Sequence, residues 1–168
     1  MLGGKFGRIV GGACIAFFIS VGSAAAIPCV PYARDITGVS LFGNAWTWWH
    51  RASGRYARGM RPKVGAILVF RKTSRLHFGH VAVVSQVINR RLIRVDQANW
   101  NTRGRVEHNV LVRDVSPRND WHEVRVWYRP SDSFGKAAYA TYGFIYPHRP
   151  PRRSMRASLP HRDRDFRG

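Results

Sequence analysis

Cysteine is almost absent from this chain: two occur in 168 residues, Cys14 and Cys29. Acidic side chains are scarce too, nine against 28 lysines and arginines, giving a formal charge of +19. No internal repeat is visible, which excludes a solenoid. The one long apolar run, Ile9 to Val21, is broken by Gly11 and Gly12. It is short for a membrane span, which needs about 20 residues. Zinc-type spacing is missing as well: no second thiol is retained, and no histidine pair recurs at a fixed interval near Cys29. His77 and His80 are three apart, on a turn into a strand rather than on a helix. Neither a metal nor any other cofactor is expected.

The shortage of acid does not by itself name a partner. Seven arginines, from Arg149 to Arg167, crowd a Pro-rich C-terminal stretch, and the others are spread through the middle. Such a balance favours anionic surfaces, cell-wall carboxylates and lipid head groups among them. No specific nucleic-acid interaction is expected. Residues 1–26 read as a secretory signal: Lys5 and Arg8 lead, the apolar run follows, and Ser23-Ala24-Ala25-Ala26 offers small residues for cleavage. Gly11 stands where a lipoprotein site upstream of Cys14 would need an aliphatic residue, so lipidation is discounted. Cleavage after Ala26 would make Cys29 the third residue of an exported protein with no stable membrane span; the alternative is that the run is kept as an anchor. Residues 147–168, with almost nothing apolar, are expected to be a basic disordered tail.

What remains is one domain's worth of chain, and Cys29 is its sole thiol. An unpaired cysteine in an exported protein signals an intermolecular disulfide or a reactive group. Pro28 before it and Tyr32-Ala33-Arg34 after it suggest that Cys29 opens a helix ending at Gly38. There the positive end of the macrodipole favours thiolate. The bland alternative is a small buried hydrophobe. Asn44 is a candidate N-cap for a second helix, Ala45 to Ala52, whose Trp46 and Trp49 share a face and should pack inward.

From Val64 the period changes. Strands are expected at Ala66–Phe70, Gly79–Val84, Leu92–Asp96, Val106–Val112 and Glu123–Tyr128, an antiparallel meander of about five. Asp132 to Tyr146 fits a short helix or an edge segment equally well. His80, after Gly79 at the start of its strand, is placed to project from the sheet's end. Asp96-Gln97-Ala98-Asn99-Trp100 puts a carboxylate, two amides and an indole at the end of the neighbouring strand. A cysteine at a helix start, a histidine on a strand and an acid or amide on the next make a nucleophile–base–orienter set.

Five motifs in order, Cys29-Val30-Pro31-Tyr32-Ala33-Arg34, Gly43-Asn44-Ala45-Trp46, Pro62-Lys63-Val64-Gly65-Ala66-Ile67, Gly79-His80-Val81-Ala82-Val83-Val84 and Asp96-Gln97-Ala98-Asn99-Trp100, resemble the CHAP family of cysteine, histidine-dependent amidohydrolases/peptidases. The resemblance implies a papain-like α+β fold: short N-terminal helices packed on an antiparallel sheet of about five strands. It implies a catalytic domain over 27–130, leaving 131–146 as a C-terminal extension. It also implies a bacterial secreted or periplasmic cell-wall hydrolase, cutting an amide of peptidoglycan or its peptides. The bond is that of an N-acetylmuramoyl-L-alanine amidase or a stem or bridge endopeptidase. By the same resemblance Cys29 is the nucleophile and His80 the base. Asp96 is the expected orienter and Asn99 competes for that role. The alternative is a non-catalytic, basic wall-binding module on the same fold.

Overall fold

The computed structural model describes residues 28–101 and 103–147. The expected signal and tail therefore lie outside the described residues, apart from Pro147. Among the described residues no helix is long and apolar enough to cross a membrane.

The first helix, α1 (Cys29–Thr37), starts from an extended Pro28 and stops at Gly38, whose φ of 71° lets its N–H reach the Arg34 carbonyl at 2.8 Å. Ala33 and Thr37 are the helix residues buried deepest, and the small Ala33 lets the helix axis come close to the sheet. A 3-10 turn (Ala45–Thr47) runs directly into α2 (Trp48–Arg51). That start changes which tryptophan is inside. Trp48 is fully buried, whereas Trp46 and Trp49 are only half-buried. Three residues per turn instead of 3.6 rotates the inward face away from the pair expected from α-helical spacing. Asn44 precedes the turn but caps nothing with its side chain.

Among the described residues eight strands follow: β1 (Ala57–Gly59), β2 (Ile67–Phe70), β3 (His80–Asn89), β4 (Leu92–Ala98), β5 (Val106–Asp114), β6 (Glu123–Tyr128), β7 (Ser133–Phe134) and β8 (Tyr139–Tyr146). The order is β1-β8-β2-β3-β4-β5-β6-β7, and β8 also pairs with β6. The six strands β2 to β6 and β8 therefore close into a barrel. Two stretches of β8 do the closing, with Glu123 opposite Ala140 at one end and Ile67 opposite Ile145 at the other. Thr141 adds a side-chain hydrogen bond to the Trp121 carbonyl, and Gly143 (φ 116°) sits where a Cβ would strike the Gly59 carbonyl.

This overturns the expected papain-like α+β arrangement. The described residues are 41% strand and 16% helix, and the sheet is a closed barrel rather than an open platform for helices. The stretch 132–146, expected as helix or edge, supplies instead the strand that removes both edges. Leu68, Phe70, Ala82, Val84, Ile93, Val95, Val112, Val126 and Phe144 fill the interior. The alternate residues Ile67, Val69, Val81 and Val83 face outward, where α1, Leu41 and Trp48 cover them. With apolar residues on both faces, β2 is buried at all four positions. The helices cover one patch of the barrel wall, and the site forms at the end of that patch.

Candidate active site

Cys29 is the first residue of α1, and α1 packs across β3. His80 is the first residue of β3. The two meet in a cleft of about 540 Å³, also lined by Asn44, Phe78, Asn99 and Trp100. Gly79 fixes the approach. At φ 67° its missing Cβ would lie 2.7 Å from the Trp46 nitrogen and 2.8 Å from the Trp46 Cβ. Trp46 in turn donates its backbone N–H to the Phe78 carbonyl at 3.2 Å. The start of β3 is thereby held against the turn that carries the opposite wall.

The Cys29 thiol is free and half-buried. Burial raises its pKa; backbone hydrogen bonds from Val81, Val30 and Cys29 itself pull it down without offsetting that rise. The contact with Val81 sets the sulfur beside the residue that follows His80. The thiol stands at the helix start, as expected, but its acidity moves opposite to the expected direction, because desolvation outweighs the first-turn amides.

His80 is 3% exposed. Its ring lies between Phe70, 5.4 Å away by centroid, and Trp100, 4.7 Å away. Burial lowers its pKa to about 4, and a hydrogen bond with Gln97 acts in the opposite sense. Nε2 lies 3.1 Å from Gln97 Oε1, and Gln97 Nε2 donates to Glu107 Oε2 at 3.2 Å. A carboxylate accepts only, so Glu107 fixes which end of the amide faces it. Gln97 must then present its carbonyl oxygen to the imidazole. Nε2 carries the proton, and the lone pair is left on Nδ1.

Asp96 and Asn99 are not part of this chain of hydrogen bonds. Asp96 pairs in register with Val83 and points to the outer face of β4. Its Oδ1 accepts the Asn109 N–H at 2.9 Å, and its Oδ2 lies 3.5 Å from His108 Nδ1. Its charge is felt across the α1 side instead: burial first, then Asp96 and Asp35, push the Tyr32 hydroxyl up to about 12. Asn99 does line the cleft, but its Oδ1 holds the Gly104 N–H at 2.8 Å and its φ of 61° turns the loop after β4. Gln97, fully buried, belongs to the same sequence motif, yet the motif alone does not single it out. The signal that could is strand parity. His80, Ala82 and Val84 share the barrel face of β3, as Ile93, Val95 and Gln97 share that of β4. Among the described residues no cluster of three His, Cys, Asp or Glu could hold a metal.

A thiol at a helix start, a buried imidazole held from behind by an amide, and an open cleft between them define a small β-barrel protein with a cysteine–histidine site. Residues 19–99 match the family model of the CHAP domain, which assigns that stretch to the CHAP domain family. The match takes in Cys29, His80, Gln97 and Asn99 and stops before β5, so Glu107 and the strand that closes the barrel lie beyond it. The family is one of peptidoglycan-related hydrolases and amidases. No curated protein matches the chain.

Proposed function

We propose that this protein is a cysteine hydrolase that cleaves an amide bond of peptidoglycan, with Cys29 as nucleophile, His80 as base and Gln97 as positioning residue. The observation that carries the reading is the hydrogen-bonded series His80–Gln97–Glu107, which leaves Nδ1 as the basic nitrogen of a ring lining the same cleft as the thiol.

Both burial shifts favour neutral forms at rest, so the pair starts as thiol and imidazole rather than as an ion pair. His80 Nδ1 takes the thiol proton as Sγ attacks the amide carbonyl. The backbone N–H of Cys29, in the first turn of α1, donates to the developing oxyanion. The Gln97 oxygen stabilises the transient imidazolium, which then gives its proton to the leaving amine. Water, deprotonated by the restored imidazole, hydrolyses the thioester. We further propose that residues 1–26 direct export and that the basic residues after Tyr146 hold the enzyme on anionic walls.

The test is digestion of purified peptidoglycan, with mass spectrometry of the released fragments. New amino termini or free lactyl groups, lost after thiol alkylation, support the reading. Undigested walls with an intact, titratable thiol would reject it and leave a wall-binding module.

A further inference from the structure

A second cavity of about 340 Å³ continues from the catalytic cleft, and the two share Arg75, Leu76 and Trp100 as a common wall. Beyond that wall the second cavity is lined by Tyr128, Lys136 and Tyr139. Among the described residues no Asp or Glu lines either cavity. Arg75 and Lys136 are exposed, and neither has a hydrogen-bond or ion-pair partner among the described residues. The floor is aromatic: Trp100 and Tyr139 meet edge to face at 5.0 Å, and Trp100 also packs on Phe70 and His80.

We infer that this second cavity is a substrate subsite for a carboxylate, carried by the stem peptide close to the amide being cut. The inference rests on the proposed hydrolase reading for the identity of the substrate. The two unpaired cations supply charge without a competing internal anion, and an arginine fork matches the planar geometry of a carboxylate. The Trp100 and Tyr139 rings offer flat apolar surface to the aliphatic atoms that carry it. Because Trp100 packs on the His80 ring and also lines the second cavity, an anion bound there is tethered within a residue or two of the scissile bond. A free phosphate polymer would need no such continuity with the thiol. Binding energy gained at this remote group serves to orient the amide.

The experiment compares two synthetic stem peptides that differ only in a free carboxylate or its carboxamide. Titration calorimetry on Cys29→Ala measures their binding, and kcat/KM on the parent measures their turnover. The carboxylate peptide is expected to bind at least about tenfold more tightly, the equivalent of one charge-assisted pair. Arg75→Ala/Lys136→Ala should bring the ratio close to one. A ratio that survives in the double variant overturns the subsite, as does a parent that does not distinguish the peptides. So does tighter binding of a glycerol-phosphate oligomer than of the carboxylate peptide. The binding arm does not need catalysis, so a protein that binds selectively but cleaves nothing rejects the hydrolase and keeps the subsite.

Discussion

The chemistry of single residues separates the cysteine from its helpers. Cys29→Ser keeps the volume but lacks a nucleophile of comparable acidity, so wall hydrolysis should fall by at least about 10³-fold while the far-ultraviolet spectrum is unchanged. Gln97 sets the tautomer of His80, and Gln97→Ala should cost on the order of 10²-fold in kcat. Its more telling readout is pH. With His80 depressed to about 4 and the thiol raised, the parent kcat/KM should be flat from mildly acid to mildly alkaline conditions and fall only as His80 protonates near pH 4. Gln97→Glu places a negative charge beside Nε2, raises the imidazole pKa and should move that acid limb to higher pH. Asp96→Asn, on the opposite face of the strand, should leave the limb where it is. A limb that moves with Asp96 and ignores Gln97 would return the positioning role to the aspartate.

Among the elements, the turn before β3 is the one that positions the site. Two glycines in left-handed conformation make a matched comparison. Gly38 (φ 71°) ends α1 with nothing within 4 Å of where a methyl would stand, whereas at Gly79 (φ 67°) the same methyl would run into Trp46. Gly38→Ala should cost only the conformational penalty, about 1 kcal/mol. Gly79→Ala adds overpacking against backbone, for about 2–4 kcal/mol together. Because it also displaces His80 from Cys29, Gly79→Ala should lose more activity than its stability loss explains. Urea midpoints and kcat on both variants decide it; equal effects would mean that the turn merely connects. The turn was legible as a Gly-His pair at a strand start. The contact that makes the glycine obligatory was not, since Trp46 is 33 residues upstream.

For the whole molecule, burial of a neutral histidine couples folding to pH. The unfolded imidazole titrates near 6.5, and in the folded protein it titrates at about 4. The unfolded chain therefore binds more protons between those values. The contribution of His80 is complete above about pH 6.5 and is lost as pH falls toward 4, roughly 3 kcal/mol in total. Parent and His80→Gln should therefore converge, or cross, in unfolding free energy between pH 7 and pH 4.5, the parent falling more steeply. Parallel pH dependences would place the histidine in solvent. The basic C-terminal residues act at this scale too. β8 ends at Tyr146, so truncation after that residue should leave the melting temperature within a few degrees. Affinity for anionic walls should drop most at low salt, where screening is weakest; unfolding of the truncated protein would contradict it.

Local sequence determined the start of α1 at Cys29, its glycine stop, and the strand segments from Ile67 to Tyr128. These depend on residues a few positions apart: a proline before the helix, a left-handed glycine after it, alternating apolar side chains. The motif order was sufficient to identify the family. Tertiary structure decided the rest. Whether a meander stays open or closes depends on pairings such as Leu68 with Phe144, 76 positions apart, which no local pattern encodes. The partner of His80 turned on one residue of strand parity. Asp96 and Gln97 are neighbours in sequence, but successive side chains of a strand point to opposite faces, and only the barrel defines which face is inside. The pKa of the thiol likewise followed from how deeply α1 is buried against β3, a property of the packed molecule and not of the helix start.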